Sequence, residues 1–130
     1  MPKNPDSHAL GILLSLEKDA REFGFEWPNE AMIIDQAIDE CREIKEAIEK
    51  NELRERVQEE IGDLLHSAIS LCEFAGFEVE ETLTRVNEKF GKRMRVVKKL
   101  THELGPPNLK GKSIDFMMEI WRNAKLIENK

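Results

Sequence analysis

Tyrosine is absent from this chain, and tryptophan and cysteine occur only twice each, with five prolines and seven glycines among 130 residues. So little aromatic and turn-forming material does not suit a β-sandwich or barrel, whose many short strands demand both. Cys41 and Cys72 stand without a C-x-x-C or Cys/His spacing, which excludes an ordinary zinc site; both are expected as reduced thiols on apolar helical positions. No apolar run reaches the ~18 residues of a membrane span. The longest near the start, residues 9–16, runs straight into Glu17, Lys18 and Asp19 with no small-residue cleavage site. A cytoplasmic protein with no membrane partner is the expectation. There is no excess of positive charge either: the net charge is -6, which excludes a nucleic-acid partner held by phosphate neutralisation.

What remains is charge interleaved with aliphatic residues, 35% and 40% of the chain. That mixture predicts an all-α fold, and the length predicts a single domain over residues 1–130. Asp6 or Ser7 can cap a first helix ending near Phe23, with Leu10, Leu13, Leu14 and Leu16 or Ala20 inward. Gly24 stops it, and Phe25 and Trp27 pin the turn before a second helix begins at Pro28 or Asn29. That helix runs to about Lys50, with Ile34, Ala37, Ile38, Cys41, Ile44 and Ile48 as its apolar stripe. Asn51 can cap a third helix to about Ala75, whose stripe is Val57, Ile61, Leu64, Leu65, Ala68 and Cys72. A fourth, residues 80–104, carries Leu83, Val86, Phe90, Met94 and Val97, with a basic outer side. A fifth, residues 113–127, has Ile114, Met117 and Met118 at helical spacing, and the strip continues through Trp121 to Lys125. The expected architecture is an antiparallel bundle of about four core helices plus a C-terminal helix.

The densest chemistry lies between Asp39 and Asp63. Glu40 and Glu43 form one acidic pair, and Glu60 and Asp63 form another on the next helix. Residues three apart on a helix are surface neighbours, so each pair can aim two carboxylates at one point. Both pairs flank their apolar stripes at the same offset, and two helices joined by a short turn pack antiparallel, so the acidic flanks can converge. With 26 acidic residues in the chain, an isolated E-x-x-E is equally compatible with a solvated face. Four converging carboxylates, however, call for a compensating cation. Gly62, between the second pair, costs about 1 kcal/mol of helix propensity against Ala, which a close approach of backbone or ligand would rationalise.

Oxygen-only ligation suits a hard cation, Mg²⁺ or alternatively Mn²⁺. Lys89 and Arg93 are one turn apart on the fourth helix and present two cations on one strip, suited to phosphate oxygens. Water activated by a metal and attacking phosphorus is the reaction class this spacing suggests. Asp63 and His66 resemble half of a di-iron bundle motif, but such a site needs two copies and the chain has one.

The run Glu40-Cys41-Arg42-Glu43, then Glu59-Glu60-Ile61-Gly62-Asp63, then Asn87-Glu88-Lys89-Phe90 with Lys92-Arg93, resembles the MazG family of nucleoside triphosphate pyrophosphohydrolases, and in particular the second domain of its tandem bacterial members. The similarity extends to Gly24-Phe25-Glu26-Trp27 and to the closing helix with Trp121 and Lys125. The resemblance implies hydrolysis of a nucleoside triphosphate between its α and β phosphates. It implies that Glu40, Glu43, Glu60 and Asp63 bind Mg²⁺ and orient or deprotonate water, that Lys89 and Arg93 hold phosphates, and that Trp121 and Lys125 approach the nucleotide. It also implies a homodimer or a dimer of dimers, in which a second subunit can complete the site. A narrower enzyme acting on dUTP, dCTP or phosphoribosyl-ATP, and a non-catalytic nucleotide-binding helical dimer, are the alternatives.

Overall fold

A computed structural model describes residues 8–128, and every regular element among them is helical: α1 (Ala9–Phe23), α2 (Glu30–Glu49), α3 (Arg54–Phe74), α4 (Val79–Glu103) and α5 (Ile114–Glu128). The all-α expectation holds. The chain divides into two compact units, residues 1–79 and 80–130.

Local chemistry sets most of the helix ends. The first helix closes at Gly24, whose φ of 99° is open to glycine without strain; Phe25 N donates to Ala20 O and Gly24 N to Arg21 O, the paired bonds of a Schellman stop. The expected caps Asp6 and Ser7 lie outside the described residues, and His8 occupies the N-cap without a side-chain bond. Asn29, one of the two expected starts of α2, is its N-cap, its Oδ1 accepting from Met32 N at 2.9 Å. Asn51 does not cap α3. It sits at φ 54°, a left-handed conformation that Asn tolerates, and turns the chain out of α2, leaving Leu53 as the N-cap of α3 with no side-chain bond. Ser113 caps α5 by accepting from Phe116 N at 3.1 Å.

In the first unit α2 and α3 pack antiparallel, and α1 runs alongside α3 through Glu17 to Ser70 and His66 and through Arg21 to Glu73. The buried faces are turned relative to the stripes read from the sequence. On α2 the buried residues are Ile33, Glu40 and Ala47, while Ile34, Ile38, Cys41 and Ile48 are exposed. On α3 they are Glu60, Ser67 and Ser70, while Ile61, Leu65 and Ala68 are exposed. Hydrophobic periodicity finds an amphipathic face but not which neighbour covers it, and here each helix gives its intramolecular contact to the face holding a carboxylate. Neither cysteine is in a disulfide; Cys41 is exposed rather than buried. A Cβ at Gly62 meets nothing within 4 Å, so no close approach among the described residues accounts for that glycine.

In the second unit, Val97 from α4 and Ile120 and Ala124 from α5 form the core, with Met94, Leu100, Phe116 and Trp121 packed around it. Val97 and Met94 fall where expected, whereas Leu83, Val86 and Phe90 near the start of α4 are exposed. On α5 the inward face is Ile120 and Ala124; Ile114 is 63% exposed and Met118 40%. The last helix is therefore rotated from the phase that Ile114 and Met118 suggest. Ile120→Ala should cost about 2–5 kcal/mol of stability, and Ile114→Ala about 0.5 kcal/mol or less, in urea unfolding. Equal losses would show that the face read from the sequence is the buried one.

Candidate metal centre

Helix α2 delivers Glu40 and helix α3 delivers Glu60 to the seam between them, each only 6% exposed. The two carboxylates sit inside the packing rather than on flanks beside it, as the sequence suggested. Asp63, one turn beyond Glu60, is exposed; one carboxylate oxygen from each of Glu40, Glu60 and Asp63 lies within 4.8 Å of the others. Glu43, exposed on the next turn of α2, completes the quartet through its neighbours: the side chain of Glu60 beside it, and then the charge of Glu40, push its carboxyl from 4.5 up to about 7. Glu40, Glu60 and Asp63 thus come together, with Glu43 beside them.

Each buried glutamate is held from its own helix. Gln36 Nε2 donates to Glu40 Oε1 at 2.7 Å, and an Arg56 guanidinium nitrogen stands 3.2 Å from Glu60 Oε1. Gln36 and Arg56 occupy the same place, one turn before their glutamate, a relation present in the sequence as i,i+4 pairs but not singled out there. The second oxygens, Glu40 Oε2 and Glu60 Oε2, are buried with no hydrogen-bond partner among the described residues. An unsatisfied buried polar atom costs about 1–3 kcal/mol, and more when charged. Two such oxygens beside a third carboxylate ligand form a donor set that a hard divalent cation fits.

The seam opens on one side into a cavity of about 620 Å³ formed by α1, the α1–α2 turn, α2 and α3. Glu40 and Asp63 belong to both the acidic site and this cavity, whose apolar walls include Leu13, Trp27 and Phe74. Trp27 and Phe25 therefore line the cavity as well as forming the turn. His66, which the sequence tied to Asp63 by spacing, bonds instead to Glu17 of α1 and faces the same cavity. On another side a recess of about 170 Å³ is lined by Glu43 and Glu60 together with Lys50 and Arg56, two cations the sequence reading did not select.

The remaining predicted residues belong to the second unit. Arg93 is buried, its Nε 2.9 Å from Glu128 Oε2 and its guanidinium 4.8 Å from the centre of the Trp121 ring. Trp121 also faces Phe90, with ring centroids 6.2 Å apart, and helps to cover the core. Lys89 and Lys125 are exposed and make no ion pair among the described residues.

The Glu43 shift fixes a sign for the metal-free protein. A carboxyl whose folded pKa is raised to about 7 stabilises the fold fully below its unfolded pKa, and that contribution is lost as pH rises through about 7. In EDTA, the melting temperature should therefore fall between about pH 5 and about pH 8, and Glu43→Gln should flatten that fall. A Glu43→Gln profile parallel to wild type would detach Glu43 from the cluster.

Comparison with known proteins agrees with this geometry. A family model described as the MazG nucleotide pyrophosphohydrolase domain matches residues 29–105, which include both acidic pairs, Lys89 and Arg93. The chain is 30% identical over 122 residues to the nucleoside triphosphate pyrophosphohydrolase/pyrophosphatase MazG of Thermotoga maritima, covering 94% of this chain and 46% of the relative. It is 29% identical over 118 residues to the nucleoside triphosphate pyrophosphohydrolase of Escherichia coli K12, covering 90% of this chain and 44% of the relative. A shorter match, 32% over 71 residues, joins it to the Bacillus subtilis protein YabN. The chain spans less than half the length of the first two relatives. With its matched segment holding the converging carboxylates of Glu40, Glu60 and Asp63, the chain belongs to the MazG nucleotide pyrophosphohydrolase domain family.

Proposed function

We propose that this chain hydrolyses nucleoside triphosphates at the anhydride between the α and β phosphates, releasing nucleoside monophosphate and pyrophosphate, with Mg²⁺ or Mn²⁺ as cofactor. The observation that carries this reading is the pair of buried, unpartnered oxygens on Glu40 and Glu60, in an acidic cluster whose Glu40 and Asp63 also line a cavity large enough for part of a nucleotide. A divalent cation held by Glu40, Glu60, Asp63 and Glu43 supplies positive charge to phosphate oxygens and acidifies water.

The chain's own groups do the rest. Gln36 and Arg56 hold the two buried carboxylates in place, so the donor set is organised before substrate arrives. Water forms the new oxygen–phosphorus bond as the bridging oxygen departs with pyrophosphate, and its proton passes to whichever carboxylate of the quartet is free to accept one. Lys50 and Arg56 beside the cluster add positive charge to the phosphate side. Lys89 and Arg93 are further candidates for phosphate contact and Trp121 and Lys125 for nucleotide contact, on the strength of the family resemblance, and residues 1–130 are read as one catalytic domain. A cytoplasmic setting fits such a substrate, and no helix among the described residues is long and apolar enough to cross a membrane.

The reading includes a homodimer. Ile34, Ile38 and Ile48 on α2 and Ile61 and Leu65 on α3 are all more than 40% exposed, as expected of helix faces that meet a second copy.

Incubation with each common ribo- and deoxyribonucleoside triphosphate and Mg²⁺, followed by chromatography, should yield monophosphate and pyrophosphate. Nucleoside diphosphate with orthophosphate would overturn the bond assignment. Glu60→Gln should lower kcat/KM by at least ~100-fold with helix content unchanged. Sedimentation should give a dimer at micromolar concentration, dissociated by Leu65→Glu; a monomeric wild type would contradict the interface.

A further inference from the structure

The two buried glutamates of the acidic site are held by residues that face different spaces. Gln36, which donates to Glu40 Oε1 at 2.7 Å, is a half-buried wall residue of the 620 Å³ cavity, and Glu40 and Asp63 line that cavity as well. Arg56, which holds Glu60, lines the 170 Å³ recess instead, and neither Arg56 nor Glu60 is among the walls of the larger cavity. Four other polar walls of that cavity form a network of their own: Glu17 bonds to Ser70 and His66, and Arg21 bonds to Glu73 with Glu17 3.7 Å away. Among these five wall groups, Gln36 is the one bonded to a carboxylate of the cluster.

We infer that Gln36 is a positioning residue that couples the two sites: a nucleoside moiety seated in the cavity fixes the Gln36 side chain against Glu40, and the divalent cation then binds more tightly. The inference rests on the nucleotide and metal reading above and adds the linkage between its two halves. Gln36 has three rotatable torsions, and some of its rotamers swing the amide from Glu40 into the cavity volume. Holding so flexible a side chain in one rotamer has an entropic cost. An occupant that fills the volume excludes the other rotamers, so that cost falls on the binding of the occupant and no longer on the binding of the cation. Glu40 then stays oriented, with Oε1 bonded and the buried, unpartnered Oε2 left for the cation. Glu60 has no such dependence, because Arg56 reaches it from outside this cavity. The apolar walls Leu13, Trp27 and Phe74 suit a flat base. A nucleoside has no phosphate with which to touch the cation, so its effect on the metal passes through the protein. By reciprocity, Mg²⁺ tightens the nucleoside by the same factor as the nucleoside tightens Mg²⁺.

Calorimetric titration of Mg²⁺ into wild type, with and without millimolar deoxyadenosine or deoxycytidine, reads this coupling with no turnover. Mg²⁺ should bind at least ~5-fold more tightly with one of the two nucleosides present, and that nucleoside should gain equally from Mg²⁺. In Gln36→Leu, which keeps apolar bulk and removes the amide, Mg²⁺ should bind ~10-fold more weakly and the nucleoside should no longer change its affinity. A Gln36 that only supports the fold would weaken Mg²⁺ binding and leave the ratio with and without nucleoside as in wild type. Arg56→Met is the control, and there the wild-type ratio should persist; its loss would assign the coupling to general loosening of the cluster and overturn the role of Gln36. Mg²⁺ affinity indifferent to both nucleosides in wild type, or a coupling that survives in Gln36→Leu, would overturn it as well. Coupling without cleavage of any triphosphate would sink the proposed reaction and keep this role for Gln36; cleavage without coupling would do the reverse.

Discussion

Mutual repulsion among carboxylates forced into one seam is the constraint on which the first unit of this molecule turns. Glu40 and Glu60 are buried where helices α2 and α3 meet, Asp63 and Glu43 crowd them from the next turns, and no cationic side chain is buried with them. The interior of a helical pair is normally apolar. Here the contact face is partly given to acids: Arg56 reaches one oxygen of Glu60 from the exposed side, while Glu60 and then Glu40 beside Glu43 push its carboxyl up to about 7. A helix pair arranged this way gains from any divalent cation that binds the folded state alone.

Much of this was legible in the sequence. Spacing of three within each pair, on two helices joined by a short turn, was enough to expect Glu40, Glu60 and Asp63 close together, and the helix count and most helix ends followed from periodicity, Gly24, Asn29 and Ser113. The depth of the site was not legible. The aliphatic stripes of α2 and α3 suggested that Ile34, Ile38, Ile61 and Leu65 face inward, yet those residues are exposed and the glutamates are covered. A helix with two usable faces offers one pattern to the reader and two partners to the fold, and only tertiary contact decides between them. Asn51 shows the same limit at a helix end: its residue type suits a cap and a left-handed turn equally, and it takes the turn.

The cavity was hidden for a different reason. Its walls come from α1, the α1–α2 turn, α2 and α3, so Glu17, His66 and Ser70 meet across about fifty positions of sequence. Nothing in local spacing joins them. In the second unit, Arg93 was read as a free cation on a basic strip, but it is buried between Glu128 and the Trp121 ring. A phosphate drawn to that guanidinium competes with a carboxylate already in place.

The central claim is that the seam between α2 and α3 is a cation site held under electrostatic strain. It is tested most directly by thermal unfolding of wild type and Glu40→Gln, each in EDTA and in millimolar Mg²⁺. The account predicts that Mg²⁺ raises the wild-type melting temperature, by the equivalent of about 2.7 kcal/mol when the ion is in hundredfold excess over its Kd. It predicts that Glu40→Gln melts at or above wild type in EDTA and loses the response to Mg²⁺. Wild-type curves that coincide in EDTA and in Mg²⁺ would contradict it.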